Sequence, residues 1–424
     1  MNRHLEHYKL GTLCSVKHGY PFDGSKFADH GTYIVLTPGN FFEKGGFKRI
    51  KGKEKYYTGA FPQEYLCSKD DLIVAMTQQA EGLLGSTALV PEDNLYLHNQ
   101  RIGLVFHNHD LVDKLYLYYL FMTKSVRKQI SDSASGTKIK HTSPDKIYSV
   151  SVSIPSIDIQ RKNALLLYWI DKKIENNSLI CSELEAIGKT LYDYWFVQFD
   201  FPDENGRPYR TSGGEMVWND QLKRKIPKGW AVGKIGQLGS IVSGGTPTTT
   251  CADYYCDNGF AWITPNDLSG NGEKMFVSHG ERDITQAGID SSSAVLMPKH
   301  SVLLSTRAPI GYLAISDNEV CTNQGFKSII PDAGYHEYYI YYLLKRNIPA
   351  ISRQGVGTTF KEVSKETLSD FKLPLPPKPI ANEFANAVSS LCENRCVLEK
   401  ENEELTKLRD WLLPLLMNGQ ARVE

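Results

Sequence analysis

The chain writes itself out twice. VSIPSIDIQ begins at Val152, and LPLPPKPIA begins at Leu373, 221 residues further on. Each follows a GT string ending in lysine, GTKIK (Gly136–Lys140) or GTTFK (Gly357–Lys361), and each runs into a long helix-like segment. The correspondence extends through both halves. KLGTL (Lys9–Leu13) faces KIGQL (Lys234–Leu238), and VLTPGN (Val35–Asn40) faces WITPND (Trp262–Asp267). LIVAMT (Leu72–Thr77) faces SVLLST (Ser301–Thr306), HNQRIGLV (His98–Val105) faces TNQGFKSI (Thr322–Ile329), and LYYL (Leu117–Leu120) faces IYYL (Ile340–Leu343). Offsets from 221 to 229 are those of one fold with loop insertions. A period this long marks a duplicated domain rather than a solenoid.

Within each half the order of elements is the same. Short β-like runs bounded by Gly, Pro, Asn and Asp come first, then an aromatic helix, then an extended proline-containing segment and a long helix. The expected fold class is α/β (α+β): two pseudo-repeated globules joined by two long helices. The boundaries are a first globule at 1–158, a spacer helix at 159–200, a linker at 201–229, a second globule at 230–379, and a distal helix with its tail at 380–424. The distal helix carries Phe384, Leu391, Leu398, Leu405 and Leu412 at sevenfold spacing, with Val388, Arg395, Asn402 and Leu408 between. The spacer helix carries Ile170, Asn177, Leu184 and Leu191, with Ile174, Cys181 and Ile187 between. Such heptads predict a coiled coil, with Asn177 and Asn402 as polar residues that fix its register. An antiparallel pair would relate the halves by a pseudo-two-fold axis and act as calipers on a ligand with two separated faces. DNA is such a ligand, because half-site spacing mirrors protein symmetry.

Composition narrows the partners. The chain of 424 residues has 48 basic and 48 acidic side chains, so any nucleic-acid surface must be a local concentration of charge. Its eight cysteines are scattered, without paired CxxC hooks, and read as reduced thiols rather than a zinc site. The N-terminus lacks a secretory pattern, and no run of about eighteen apolar residues occurs, so a cytoplasmic protein without a membrane partner is expected.

The strongest basic patch is KGGFKRIKGKEK, where Lys44, Lys48, Arg49, Lys51, Lys53 and Lys55 face Glu54 alone. Lysines on such a loop position a protein on phosphates without specifying sequence. Base readout needs amide and guanidinium side chains. The candidates are Gln78 and Gln79, Asn99 and Gln100, Asn323 and Gln324, and Arg101, Arg307 and Arg353. Lys138, Lys140 and Lys361 add charge in the GT loops. For any single one of these, a structural hydrogen bond is the stronger reading; their recurrence in both halves is the better argument for binding, and equally fits repeated residues that hold the fold while unmatched residues read different sequences.

GGTPTT, WITPNDL, LLSTRAPIGYLAIS, TNQGFKSI, GTTFKEVSKETLSDFKLPLPP and LLPLLMNGQARV resemble the specificity subunits of type I restriction–modification systems, as do YDYWFVQFDFPDENGRPY and GEMVWND in the middle. The resemblance covers essentially the whole chain. It implies two target-recognition domains, each reading one half of a bipartite, asymmetric double-stranded DNA site. It also implies spacer helices that set the gap and dock two adenine methyltransferase (modification) subunits, through which the restriction/translocase subunits join. The apolar helix ends, with Tyr192, Trp195 and Phe196 in one half and Trp411, Leu412, Leu415 and Leu416 in the other, are then candidate docking surface.

No catalytic motif accompanies these features. There is no NPP or DPP, the GKT at Gly188–Thr190 lacks the first glycine of a phosphate loop, and a PD…(D/E)xK centre assembles only on paper from Pro144–Asp145 and Asp171–Lys173. The expectation is a non-catalytic specificity subunit that binds no cofactor or metal itself, with S-adenosylmethionine, ATP and Mg on its partners. The alternatives are a self-sufficient nuclease or methyltransferase, and a recognition-like scaffold or decoy that docks the methyltransferase without reading DNA.

Overall fold

The computed structural model describes residues 5–50, 52–78, 80–136, 139–269, 274–357 and 361–423. The chain divides into two compact units: unit 1 is Met1–Ile174 with Glu404–Glu424, and unit 2 is Glu175–Glu403. The principal helices are α1 (Lys114–Met122), α2 (Lys124–Ser133), α3 (Ile157–Tyr192), α4 (Glu337–Arg353) and α5 (Lys378–Met417). Each unit holds one segment of α3 and one of α5.

The duplication is visible strand by strand. In unit 1 one sheet has the order Cys14–His18, Ile102–His107, Leu72–Ala75, Thr87–Leu89. In unit 2 the counterpart runs Ser240–Ser243, Lys327–Ile330, Val302–Thr306, Ile310–Ser316, and adds the edge strand Phe276–Val277. A second sheet in each unit contains a parallel pair, Ile34 against Tyr96 in unit 1 and Ala261 against Val320 in unit 2. A two-stranded ribbon leads into each long helix, Glu6–Lys9 with Ser151–Ile154 and Ala231–Lys234 with Lys372–Leu375.

The sheets correct one sequence correspondence. Leu72 pairs with Val105, and Val302 pairs with Ile329, so Leu72 is the counterpart of Val302 and not of Ser301. The sequence match is off by one residue, which would turn every side chain to the opposite face. Both strands are buried on both faces, so no polar alternation marks their register.

The aromatic helices form as their sequences demand. The Asp113 carboxylate caps α1 by accepting from the N–H groups of Leu115 and Tyr116 at 2.9 and 3.0 Å. Tyr116–Phe121 are then buried against the sheet, as are Tyr338–Leu344 of α4.

Each unit contains an antiparallel pairing of α3 with α5. In unit 1, Asn163 Nδ2 donates to the Leu416 carbonyl at 3.0 Å, and Arg409 to Asp171 at 2.9 Å. In unit 2, Asn177 Nδ2 donates to Glu401 at 2.7 Å, and Asn402 Nδ2 to the Ser178 hydroxyl at 3.2 Å. The seam differs from the leucine row. On α5 the buried seam runs Ala381, Ala385, Val388, Cys392, Arg395 and Glu399, in alternating steps of four and three; Val388 and Arg395 are expected members of it and Phe384 is buried beside it, while Leu391, Leu398, Leu405 and Leu412 are half-buried at its flank and Leu408 is exposed. On α3 the buried row runs Ile170, Asn177, Cys181, Glu185, Gly188, Tyr192, so Leu184 is displaced to the flank and Ile187 is exposed. Two successive steps of four residues shift the heptad phase there, as a stutter does.

The segment 201–229 is a folded part of unit 2. Met216–Asn219 and Arg224–Pro227 form a hairpin, and Phe201 and Ile226 join the core beside Phe199 and Trp230.

Candidate nucleic-acid interface

Unit 1 gathers much of the basic loop against the Asn-Gln turn. A cleft of about 450 Å³ is lined by Thr37, Gly39 and Asn40 of the TPGN turn, by Lys53, Glu54 and Lys55, and by Asn99, Gln100 and Arg101. The TPGN turn is preorganised: Asn40 Oδ1 accepts from the Thr37 N–H at 2.8 Å, and Asn40 Nδ2 donates to the Lys48 carbonyl at 3.3 Å, tying the loop to the turn. The wall that carries Asn99 needs glycine behind it. A Cβ on Gly19 would lie 2.1 Å from the Asn99 carbonyl oxygen.

Unit 2 repeats this arrangement with other side chains. A Cβ on Gly244 would lie 2.1 Å from the Asn323 carbonyl oxygen. Asp267 takes the place of Asn40, accepting from the Thr264 N–H at 2.7 Å and the Thr264 hydroxyl at 2.6 Å. Trp262 Nε1 donates to the Gly245 carbonyl at 3.0 Å and holds the glycine loop down.

These contacts sort the predicted residues. Asn99 Oδ1 accepts from the Arg101 N–H at 3.0 Å, and Asn323 Oδ1 from the Gly325 N–H at 2.9 Å. The repeated asparagines therefore build the turn, and the exposed side chains beside them are Gln100, Arg101 and Gln324. The Gln324 amide oxygen accepts from the Thr246 hydroxyl, a residue that the sequence singled out only as part of GGTPTT. Lys44 is paired with Asp410 at 3.0 Å and Arg49 with Glu92 at 2.5 Å, while Lys48 lies over the Phe42 ring at 5.8 Å. Of the basic loop, Lys53 and Lys55 are the exposed cations that line the cleft. Gln78 is half-buried, with its backbone N–H on the Lys140 carbonyl at 2.9 Å. Lys140 donates to the Ser131 hydroxyl at 3.1 Å, and Arg353 and Lys361 are exposed. Lys51, Gln79 and Lys138 lie outside the described residues.

Sequence reasoning missed Arg127. Its guanidinium donates to the carbonyls of Glu43 (2.9 Å) and Gly82, clamping the basic loop from beneath. Burial pulls its pKa down to about 10, so it stays charged. It also missed Lys327 and Glu362, which meet at 3.6 Å. KSII reads as an ordinary strand, and only the fold shows that a lysine within it has an acidic partner.

The proposed docking surface divides in two. Tyr192, Trp195 and Phe196 are 5–6 % exposed and pack with Phe384, Trp230 and Tyr339 in the core of unit 2. The helix end turns inward there, so these three rings offer no docking surface. Leu416 is likewise buried, in the core of unit 1. Leu412 and Leu415 are half-buried, and Trp411 is 63 % exposed. Trp169 on α3, 62 % exposed and unremarked in the sequence, belongs to the same unit. Among the described residues, no group of three or more His, Cys, Asp or Glu side chains could hold a metal ion, and no helix is long and apolar enough to cross a membrane.

Two copies of one mixed α/β globule, each with the same glycine-walled turn and a segment of paired helix, define a duplicated protein with two equivalent surfaces. Comparison with known proteins places that class. The family model described as the type I restriction modification DNA specificity domain matches twice, at residues 2–186 and 227–407, and the chain belongs to that family. The MjaIX specificity subunit of Methanocaldococcus jannaschii is 38 % identical over 200 residues, a match spanning 45 % of each chain, so less than half of that relative is covered. The HindI specificity subunit of Haemophilus influenzae is 26 % identical over 379 residues, 77 % of this chain and 81 % of the relative. A crystal structure of a type I restriction–modification S subunit from M. genitalium has the same fold, with a TM-score of 0.60 at 14 % identity, over 98 % of this chain and 96 % of that one.

Proposed function

We propose that this chain is the DNA sequence-recognition subunit of a type I restriction–modification complex, each unit reading one half of a bipartite, asymmetric double-stranded site. The observation that carries the reading is the cradle built twice with partly different side chains: the glycine contacts, the turn bonds and the exposed Gln100/Gln324 recur, while Asn40 is replaced by Asp267 and Arg101 by Gly325. Repeated scaffold with unrepeated exposed residues is what two different half-sites require. Lys53, Lys55 and Arg101 supply phosphate contacts that set register, and Gln100, Gln324 and Arg307 are placed for base edges.

The helices α3 and α5 set the gap between half-sites and dock two adenine methyltransferase subunits, with Trp169 and Trp411 as exposed anchors in unit 1. Restriction and translocase subunits join through that core. Catalysis, with S-adenosylmethionine, ATP and Mg²⁺, belongs to those partners, and the complex works in the cytoplasm beside the chromosome.

Co-expression with the cognate methyltransferase in a methylation-free host, followed by mapping of modified adenines, tests the reading. A single bipartite motif with a fixed gap is the expected result. A stable complex that methylates no motif would instead support a scaffold that has stopped reading DNA.

A further inference from the structure

In unit 2 the strand Val302–Thr306 delivers Arg307 to the surface. Its ladder with Ile310–Ser316 slips register between Leu304 and Thr306, immediately before that arginine. Such irregularities re-aim the side chains that follow them. The equivalent ladder in unit 1 pairs Leu72 with Leu89 through Val74 with Thr87 and ends before the corresponding point.

Around Arg307 stands a charged group. The backbones of Arg307 and Glu362 form a β-bridge. The Glu362 carboxylate lies 3.9 Å from the Arg307 guanidinium and 3.6 Å from the Lys327 ammonium. The Lys327 side chain is 10 % exposed and that of Arg307 47 %. Both separations are ion-pair distances too long for hydrogen bonds. Glu362 therefore orients the arginine by charge and leaves its N–H fork available to a ligand.

Unit 1 carries different residues at the same three positions. Thr77 and His141 form the corresponding bridge, with the Thr77 hydroxyl 3.1 Å from His141 Nδ1. Gly103 occupies the place of Lys327, opposite His18 as Lys327 is opposite Ser243. A Cβ there would lie 2.5 Å from Val16 Cγ1, so packing closes the space that Lys327 fills in unit 2. The duplicated frame thus holds Thr, His and Gly in one unit and Arg, Glu and Lys in the other.

We propose that Lys327, Glu362 and Arg307 form a relay that sets base specificity in unit 2: the buried lysine fixes the carboxylate, and the carboxylate, as a positioning residue, presents the guanidinium to a guanine edge. A guanidinium fork matches the O6 and N7 acceptors of guanine in the major groove. This inference rests on the DNA-reading function proposed above and names the base class that one part of unit 2 reads.

The test uses the full chain co-expressed with its methyltransferase and scores methylation at every variant of the motif. Arg307→Ala relaxes one guanine-bearing position of one half-site, losing roughly tenfold or more of its discrimination, the scale of one bidentate base contact. Glu362→Gln relaxes the same position, and the other half-site is unchanged in both variants. Because Glu362→Gln strands a buried lysine, Glu362→Gln with Lys327→Met is the companion variant: it removes the charge with its partner and must still relax that position. Selectivity unchanged at every position in these variants, or methylation lowered equally on all motif variants, would overturn the relay while leaving the recognition function standing. A wild-type complex that methylates no motif would overturn both.

Discussion

The two helix-pair segments are alike in topology and unlike in what closes them. In unit 2, α3 and α5 meet around Arg395, whose side chain is 4 % exposed and paired with both Glu185 and Glu399. Glu399 also accepts from the backbone N–H groups of Met275 and Phe276, each at 2.9 Å, and so joins the helix to the sheet's edge strand. In unit 1 the helices are closed at a different place in the repeat, by Arg409 with Asp171, 23 % and 28 % exposed, the carboxylate accepting also from the Tyr119 hydroxyl at 2.6 Å. The first pairing is largely buried, reaching the surface only through Lys345 on Glu185, and the second is more open to water. A buried ion-pair network need not out-stabilise an apolar seam, but losing a single member leaves the others unpaired. The comparison teaches that duplication preserved the frame while each copy found its own polar closure.

The largest expected effect follows from that contrast. Glu399→Ala leaves Arg395 half-paired and strands two buried N–H groups, and is expected to cost unit 2 about 3–5 kcal/mol. Asp171→Ala in unit 1 is expected to cost about 1–2 kcal/mol, because water can solvate Arg409. Urea unfolding followed by hydrogen exchange within each unit reads both; equal losses would break the distinction.

Acid should separate the units next. His98 is fully buried in unit 1, and burial pushes its pKa down to about 4. The unfolded chain takes up this proton near pH 6.5, so the stability is whole above that pH and declines as the pH falls towards 4, by at most about 3 kcal/mol. The same position in unit 2 is Thr322, which does not titrate. His98→Thr is expected to remove this component of acid sensitivity in unit 1. An unaltered exchange profile between pH 7 and pH 4.5 would contradict it.

The smallest effects are electrostatic. Lys53→Ala and Lys55→Ala should each lower the salt slope of DNA binding by about 1, with equal loss on all sequences. Lys44→Ala should leave the slope nearly unchanged, since Asp410 already neutralises that lysine. A larger slope change at Lys44 than at Lys53 would reverse the assignment of the cleft.

The fold was largely legible because its repeat is punctuated by residues whose chemistry is local: Asn99 and Asn323 in their turns, the TPGN and TPND caps, the proline-containing strands before the helices. Register was not, since Leu72–Ala75 and Val302–Thr306 are buried on both faces and show no alternation to count by. Half of the helix seam was legible, in Val388 and Arg395 on one helix and Ile170, Asn177 and Cys181 on the other; its second row was off by one because Leu391 and Leu398 mark an apolar stripe more clearly than Cys392 and Glu399. Tyr192, Trp195 and Phe196 read as surface because an aromatic helix end serves a core or a partner equally well. The basic loop was found, but Asp410 and Glu92, which neutralise parts of it, come from far along the chain.

The central claim is that each unit reads one half-site by itself. Its most direct test replaces the first globule, Tyr8 to Ile159, with that of a relative of different specificity, and maps adenine methylation by the resulting complex. The account predicts that one half of the motif changes to the relative's and the other half stays. A change in both halves, or in neither, would contradict it.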